Sequence, residues 1–295
     1  MAKGIKGLQG INLCSKGEKM WLHRLRVRTF NALQSVGIHA IPNHFYGPIP
    51  DTRLPEETWT GRSSLPGIRM NEPCQIELAQ MLCGQFGEEF AAIPTGTQFG
   101  GVDGEVLHGM VRYFRPSRIL EVGSGTSTRI SAAAVVQNGC GEVVAVEPYP
   151  NDTLKAGFPG LSRLVVSPAQ SVPMAEFESL GEGDILFIDS SHVLKIGSDV
   201  QFLFLEVLPR LKPGVIVHVH DIFLPQSYPR KWVVDELRFW NEQYLLQAFL
   251  AFNSAFEVLW AAHYMNLRHP EVMGLFPSYQ SGVSFPASFW MQKKR

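Results

Sequence analysis

The chain has 295 residues, of which 45% are hydrophobic and 18% charged, and its formal net charge is -1. This length allows one sizeable core with an appendage, or two small domains. A net charge near zero excludes a global attraction to nucleic acid or to an anionic membrane, and we expect no nucleic acid as a partner.

The cysteine content and the hydropathy of the chain indicate its cellular compartment. Cys14, Cys74, Cys83 and Cys140 show no CxxC and no metal-ligand spacing. Their sparseness predicts free thiols in a reducing compartment, and therefore a cytoplasmic protein. No stretch of about 18 uncharged apolar residues occurs, so we expect no transmembrane segment, and the N-terminus lacks the apolar core of a signal peptide.

The first third of the chain is predicted to be an appendage, residues 1–103. Residues 1–50 hold seven Lys or Arg and one acid, and "MWLHRLRVRTFNALQSVGI" (20–38) predicts a basic amphipathic helix. This helix is either an ordinary surface helix, a membrane-surface helix or a targeting leader. Proline and turn residues from 37 to 97 indicate extended wrapping, interrupted by a helix at "CQIELAQMLCGQF" (74–86).

Residues 104–295 are predicted to form one α/β domain. After a helix at 105–114, short runs rich in Val, Ile and Leu alternate with helical segments, as in parallel strands that are covered on both faces. The predicted strands are "RILEV" (118–122), "EVVAVE" (142–147), "RLVVS" (163–167), "DILFID" (184–189), "GVIVHVHD" (214–221), "FEVLWA" (256–261) and "ASFWMQK" (287–293). Helices are predicted at about 196–207 and, as one long element, at 230–252.

A glycine loop follows the first of these strands. In "EVGSGTST", Gly123 and Gly125 allow a sharp turn and a close approach of a ligand, and the helix that opens after them favours an anionic group. Glu121 in the strand end suits a cationic ligand group. Glu147 ends the second strand, where a carboxylate accepts hydrogen bonds from a ribose diol. The third glycine of the dinucleotide fingerprint is absent, since residue 128 is Thr.

This pattern resembles the class I S-adenosylmethionine-dependent methyltransferases. The resemblance implies a Rossmann-like, doubly wound seven-stranded sheet with an antiparallel last strand. It also implies that Glu121 and the loop Gly123, Ser124, Gly125, Thr126 and Ser127 hold the methionine part of the donor and that Glu147 holds its ribose. Ser167, Ala169 and Gln170 would flank the adenine; many family members carry an aspartate near residue 170.

Acids and imidazoles cluster at the ends of the fourth and fifth strands. Asp189 and Asp221 end neighbouring strands, with His192 three residues after Asp189 and His220 just before Asp221. Because ligands bind beyond the carboxyl ends of parallel strands, we expect these four side chains to meet there. A helix N-cap at Asp189 would explain that residue alone. His218, which lies deeper in the strand, is predicted to be a core histidine with its hydrogen bonds satisfied.

"DSSH" followed by "HVHD" resembles the metal-dependent branch that methylates sugar hydroxyls of macrolides. The resemblance implies Asp189 and Asp221 as metal ligands and His192 as general base, with His220 in the place of an acidic ligand. Magnesium prefers oxygen, whereas imidazole suits manganese or iron. Either the metal differs, or His220 is no ligand, or the site is metal-free and histidine-based. "FYGPIPD" (45–51) and "LPGIRMN" (65–71) resemble leader segments of such enzymes, and we expect them to cap the acceptor pocket through His44, Tyr46, Asp51 and Arg69.

The sequence thus predicts a methyltransferase that acts on a small-molecule acceptor, most simply on a hydroxyl oxygen. The donor is S-adenosylmethionine, and Mg, Mn or Fe is a candidate metal. Nitrogen methylation, another reaction of the same donor without metal, and a non-catalytic binding protein that keeps the fold stay open as alternatives. The acceptor and a homo-oligomeric state are left open as well.

Overall fold

The computed structural model describes residues 16–41, 43–44, 46–93 and 99–294. The chain divides into two compact units, Met1–Arg53 and Leu54–Arg295. The predicted boundary at residue 103 falls inside the larger unit. Within the described residues, no helix combines the length and the apolar character that crossing a bilayer requires.

In the part of the smaller unit that the structure describes there is one helix, α1 (Lys16–Gln34). It covers most of the predicted basic segment. Trp21 and Leu25 on it are exposed, whereas Phe30 and Leu33 are partly buried. The stretch 46–53 has no regular secondary structure. Asp51 accepts hydrogen bonds from the Arg53 side chain at 2.6 and 2.9 Å. Pro42, Phe45 and residues 94–98 of the predicted wrapping segment lie outside the described residues, as does Cys14.

The larger unit is built on one seven-stranded sheet. Its strands are β1 (Arg118–Val122), β2 (Glu142–Val146), β3 (Leu161–Val165), β4 (Ile185–Ile188), β5 (Ile216–Val219), β6 (Phe256–Ala261) and β7 (Phe289–Lys293). Their order is β3-β2-β1-β4-β5-β7-β6, and only β7 runs antiparallel to its neighbours. The predicted seven-stranded, doubly wound α/β architecture is therefore confirmed.

Helices cover both faces of this sheet. They are α2 (Glu57–Thr60), α3 (Glu72–Phe86), α4 (Gly101–Phe114), α5 (Thr126–Asn138), α6 (Asp152–Ala156), α7 (Met174–Glu178), α8 (Asp199–Phe202), α9 (Arg230–Val234), α10 (Glu242–Leu250), α11 (Ala262–Arg268) and α12 (Pro270–Met273). Alternate strand residues belong to two different apolar clusters, for example Leu120 and Leu186 to one and Ile119 and Ile185 to the other. This alternation shows that the central strands are buried on both faces.

Two predicted helices differ from the structure. The single helix predicted at 230–252 is two helices, α9 and α10, because the chain leaves the helical conformation between them and Leu237 has a φ of 57°. The helix predicted at 196–207 begins only at Asp199, continues through a π turn (Leu203–Val207), and leaves Ile196 fully exposed. Ser198, rather than Asp189, caps it by accepting a hydrogen bond from the Gln201 N–H. The N-cap explanation for Asp189 is therefore wrong.

Candidate functional site

The glycine loop lies at the carboxyl edge of β1. The Gly123 N–H donates to the Val146 carbonyl of β2 at 3.0 Å, and the Asp189 N–H donates to the Val122 carbonyl at 2.9 Å. Gly123 has a φ of 81°, and a Cβ built there would overlap the carbonyl oxygen of Asp189. A Cβ at Gly125 would meet no atom within 4 Å. The first glycine therefore lets the two strand ends approach each other, and the second leaves space open.

Glu121 supports the loop from beneath. Its side chain is fully buried, and Oε1 accepts hydrogen bonds from the hydroxyls of Ser127 at 2.6 Å and Thr128 at 2.9 Å. Thr128 Oγ1 in turn accepts from the Gly125 N–H at 2.9 Å. Burial raises the pKa of Glu121 to about 8, which these two hydroxyls partly offset. This carboxyl group organises the turn and does not line the cavity above it.

A cavity of about 450 Å³ opens above the loop. The residues that line it are Phe99, Gly123, Ser124, Gly125, Thr126, Ser127, Glu147, Asp189, His220, Asp221, Trp232 and Arg238. Glu147 faces the loop, and its carboxylate accepts hydrogen bonds from the N–H groups of Ser124 at 3.2 Å and Tyr149 at 2.8 Å. Its free lone pairs can accept further hydrogen bonds from a ligand.

The predicted adenine-flanking residues are not among those that line this cavity. Ala169 is buried in a short 3₁₀ turn, and Gln170 is exposed, with its amide donating to the Gly197 carbonyl at 3.2 Å. Ser167 is partly exposed just after β3.

Two carboxylates and one imidazole converge at the edge of β4 and β5. Asp189, His192 and Asp221 each present one ligand atom, and these three atoms lie within 4.8 Å of one another. His192 Nε2 is 3.3 Å from Asp189 Oδ1 and 3.5 Å from Asp221 Oδ2. His192 and Asp221 both have a φ of 57°, a left-handed conformation that is uncommon for residues with a Cβ. Such backbone strain occurs preferentially at functional sites.

A third carboxylate, which the sequence did not single out, holds the other side of the His192 ring. Glu242 at the start of α10 is fully buried, and its Oε2 is 2.9 Å from His192 Nδ1. The carbonyl of His192 accepts the backbone N–H groups of Asn241 and Glu242 at 3.1 and 3.2 Å. The Trp240 ring lies 4.3 Å from the imidazole, centroid to centroid. The segment at the start of α10 therefore fixes both the position and the orientation of the imidazole.

The charges of this cluster are unbalanced. Burial alone would lower the pKa of His192, but hydrogen bonds with Asp189 and Glu242 raise it to about 10. Burial raises the pKa values of Asp221 and Glu242. Burial also opposes ionisation of Asp189, but the His220 and His192 imidazoles keep its pKa below the usual value. Three carboxylates lie beside the imidazoles of His192 and His220, so acids outnumber imidazoles and the cluster favours additional positive charge.

The two histidines of β5 and its end differ in their surroundings. His220 Nε2 lies 3.8 Å from Asp221 Oδ1, and the metal-competent group of the described residues contains His192 instead of His220. His218 is fully buried and stacked on Phe187 at 3.9 Å. Neither of its ring nitrogens has a hydrogen-bond partner among the described residues. His218 is thus a core histidine, but the expectation that its hydrogen bonds are satisfied is wrong.

Comparisons with known proteins agree with this fold. Residues 120–222, about a third of the chain, match the model of a family described as "Methyltransferase domain". An uncharacterized protein of Archaeoglobus fulgidus is 29% identical over 166 residues, which cover 49% of this chain and 75% of that protein.

Two solved O-methyltransferases are similar at low identity. One is TomG of Streptomyces achromogenes, involved in tomaymycin synthesis and determined with S-adenosylmethionine (16% identity, 77% of this chain and 92% of that chain, TM-score 0.42). The other is an O-methyltransferase of Bacillus cereus determined with S-adenosylhomocysteine (14% identity, 75% and 90% coverage, TM-score 0.39).

The family match runs from β1 to the end of β5, and the seven-stranded sheet with one antiparallel strand is the Rossmann-like fold of a methyltransferase. The matched residues indicate a methyl-transferring enzyme.

Proposed function

We propose that this protein transfers a methyl group from S-adenosylmethionine to a hydroxyl oxygen of a small-molecule acceptor. One observation carries the proposal: the glycine loop with Glu147 and the carboxylates Asp189 and Asp221 line the same cavity. A donor held at the loop would present its sulfonium beside the acidic cluster. The free thiols of Cys74, Cys83 and Cys140 fit the cytoplasmic site expected for such an enzyme.

In this proposal the loop residues Gly123 to Ser127 contact the methionine part of the donor. Glu147 accepts hydrogen bonds from the two ribose hydroxyls. Glu121 acts through Ser127 and Thr128 by holding the turn in shape, since its carboxylate is enclosed. Ala169 and Gln170 are kept as the proposed neighbours of the adenine on the strength of the resemblance alone.

His192 in its neutral form is the proposed general base. Its pKa of about 10 belongs to the metal-free cluster, and a cation held by Asp189 and Asp221 would lower it toward neutral pH. The acceptor oxygen attacks the methyl carbon, the carbon–sulfur bond breaks with its electron pair going to sulfur, and the hydroxyl proton passes to His192 Nε2. The Glu242 carboxylate keeps the other proton on Nδ1 and stabilises the imidazolium that forms. General-base catalysis of this kind contributes roughly 10²–10⁴-fold to the rate.

The side-chain atoms that could serve as metal ligands in this cluster fit a divalent metal ion. Two carboxylates and an imidazole within 4.8 Å, in a cluster short of positive charge, suit manganese or iron better than magnesium. Asp189 and Asp221 would hold the ion, which when bound would lower the pKa of the acceptor hydroxyl. His220, the third ligand expected from the sequence, is kept as a proposal with weaker geometric support.

The geometry also supports a second role for His192. Its Nε2 is near both carboxylates, so it is placed to be a third metal ligand. Because Nδ1 is occupied by Glu242, the single Nε2 cannot ligate a metal and accept the acceptor proton at the same moment.

The test combines donor binding, metal binding and turnover in His192→Asn. We expect S-adenosylhomocysteine to bind the wild type and the variant with equal affinity in calorimetry. Turnover of labelled S-adenosylmethionine with a panel of hydroxyl acceptors should fall at least about 100-fold in the variant. His269→Asn is the matched control, because His269 pairs with Glu72 away from this cavity.

The same variant separates the two roles. An unchanged Mn²⁺ affinity indicates the general base, and a Mn²⁺ affinity lowered more than about 10-fold indicates the ligand. A loss of S-adenosylhomocysteine affinity as large as the loss of turnover would show that His192 is a structural residue. Transfer to amines in preference to hydroxyls would contradict the proposed acceptor atom.

A further inference from the structure

The smaller unit exposes an unusual share of the apolar side chains. Among the described residues, 21 large apolar side chains are exposed, and eight of them lie in residues 16–53, although the larger unit is several times longer. These eight are Trp21, Leu25, Val27, Val36, Ile38, Ile41, Tyr46 and Ile49. Single exposed apolar side chains are normal, but a concentration of them indicates a contact surface.

Three of these side chains form an apolar stripe. Trp21 and Leu25 stand one helical turn apart on the same face of α1, and they are 62% and 47% exposed. Leu25 lines a cavity together with Ile41, so the segment after the helix extends this face. We call Trp21, Leu25 and Ile41 the apolar stripe.

The segment after α1 covers a different part of the helix. The Ile38 N–H donates to the Leu33 carbonyl at 2.9 Å, and the rings of Phe30 and His39 are stacked with their centroids 5.4 Å apart. Phe30 and Leu33 are accordingly half-buried, whereas the apolar stripe stays exposed within the described part of the chain.

Basic side chains flank the apolar stripe. At about 100° per residue around the helix, Arg24 and Arg28 lie on one side of it and Arg26 lies on the other. All three are exposed. The first 50 residues hold seven Lys or Arg and one acid, so the rest of the chain is acidic overall and the net charge near zero hides this asymmetry.

An anionic lipid surface complements both features. A Trp side chain suits the bilayer interface, because its ring is apolar and its N–H is polar. Arginine stems extend along apolar surface while their guanidinium groups reach the phosphates. The attraction is local, since at physiological salt it decays within about 8 Å, and the acidic remainder of the chain does not cancel it.

We propose that the smaller unit docks on an anionic phospholipid bilayer through the apolar stripe, with Arg24, Arg26 and Arg28 at the headgroups. Helix α1 would lie in the plane of the interface, as basic helices with Trp and Leu on one face do. This inference is independent of the proposed methyl transfer. It selects the membrane-surface helix from the three alternatives that the sequence leaves open.

Sedimentation of the full chain with vesicles tests the docking. One set of vesicles is phosphatidylcholine with about 30 mol% phosphatidylserine and the other is phosphatidylcholine alone, and the bound fraction gives a partition coefficient. We expect this coefficient to be at least about 20-fold higher on the anionic vesicles. It should fall when NaCl is raised from about 0.1 M to about 0.5 M, because salt screens the attraction.

Two double variants separate the apolar and the electrostatic contributions. Trp21→Ala with Leu25→Ala should lower the coefficient on the anionic vesicles at least about 10-fold, because less apolar area is buried in the interface. Arg26→Gln with Arg28→Gln should lower it roughly 25-fold, about 5-fold for each charge.

The matched controls lie in the larger unit. Phe252→Ala removes a ring that is 87% exposed, and Lys155→Gln with Lys212→Gln removes two charges from exposed positions. Both should leave the coefficient unchanged, and every variant should keep the thermal unfolding transition of the wild type. The inference is overturned by equal partition onto the two kinds of vesicle, by partition onto neither, or by equal losses in variants and controls.

Discussion

Replacing Glu242 with Gln removes one charge from the buried cluster and little else. The two side chains have nearly the same shape, and the amide oxygen of Gln can still accept the hydrogen bond from His192 Nδ1. The contact is 2.9 Å long, and Glu242 is fully buried, so water does not screen the lost charge.

The size of the effect follows from the difference between two kinds of hydrogen bond. A bond to a charged group contributes about 1.5–3 kcal/mol, and a neutral one about 0.5–1.5 kcal/mol. A loss of about 1.4 kcal/mol corresponds to one pKa unit. The pKa of His192, about 10 with Glu242 in place, should therefore fall by about one unit in Glu242→Gln.

Turnover compared above about pH 10, where His192 is neutral before the reaction, should fall about 10-fold in the same variant. Proton acceptance makes His192 an imidazolium in the transition state, and Glu242 stabilises that charge. The affinity for S-adenosylhomocysteine should not change, because Glu242 does not line the cavity above the glycine loop.

The assay is a ¹H–¹⁵N NMR titration of the His192 ring in metal-free protein, with kcat and KM for an acceptor that turns over. Glu257→Gln is the matched control, since Glu257 pairs with Lys294 at 3.0 Å and does not line that cavity. An unchanged pKa of His192, or an equal loss of turnover in the control, would refute the assignment of Glu242 as a positioning residue.

Four further substitutions address the donor loop and the carboxylates beside it. Gly123→Ala should prevent correct folding, because its Cβ overlaps the Asp189 carbonyl, and the cooperative thermal unfolding transition should be lost. Gly125→Ala should fold normally, since its Cβ meets no atom within 4 Å, but should bind S-adenosylhomocysteine more weakly in calorimetry. Glu147→Gln should weaken that binding about 10-fold by losing the charge on the ribose acceptor, and unchanged affinity would disprove the contact. The free energy of unfolding of the donor-free protein should fall between about pH 4.5 and pH 8, by up to roughly 1.4 kcal/mol per pH unit, because the folded-state pKa of Glu121 is raised above its unfolded value. Glu121→Gln should reduce this slope in denaturant titrations, and an unaltered slope would show that Glu121 is not its source.

The sheet was predictable because buried strands leave a continuous apolar pattern. The segments at 118–122 and 256–261 coincide with β1 and β6. The segment predicted at 163–167 lies two residues late relative to β3. This strand is at the edge of the sheet and is only partly buried, so its apolar pattern is weak.

The contents of the site were predictable only in part. The rule that ligands gather at carboxyl strand ends brought Asp189 and Asp221 together correctly. It cannot give the direction of the His192 ring, which depends on a left-handed backbone at that residue. Helical periodicity also concealed Glu242, because a glutamate in the first turn of a helix is ordinarily exposed, and here it is enclosed by a chain segment 50 residues away.

A crystal structure with S-adenosylhomocysteine and Mn²⁺, recorded at the manganese edge, tests the central claim most directly. The account predicts ribose hydroxyls on Glu147, homocysteine along Gly123 to Ser127, and an anomalous peak between Asp189 and Asp221 with His192 Nε2 facing it. Homocysteine bound elsewhere, or a His192 ring turned away from the two carboxylates, would contradict it.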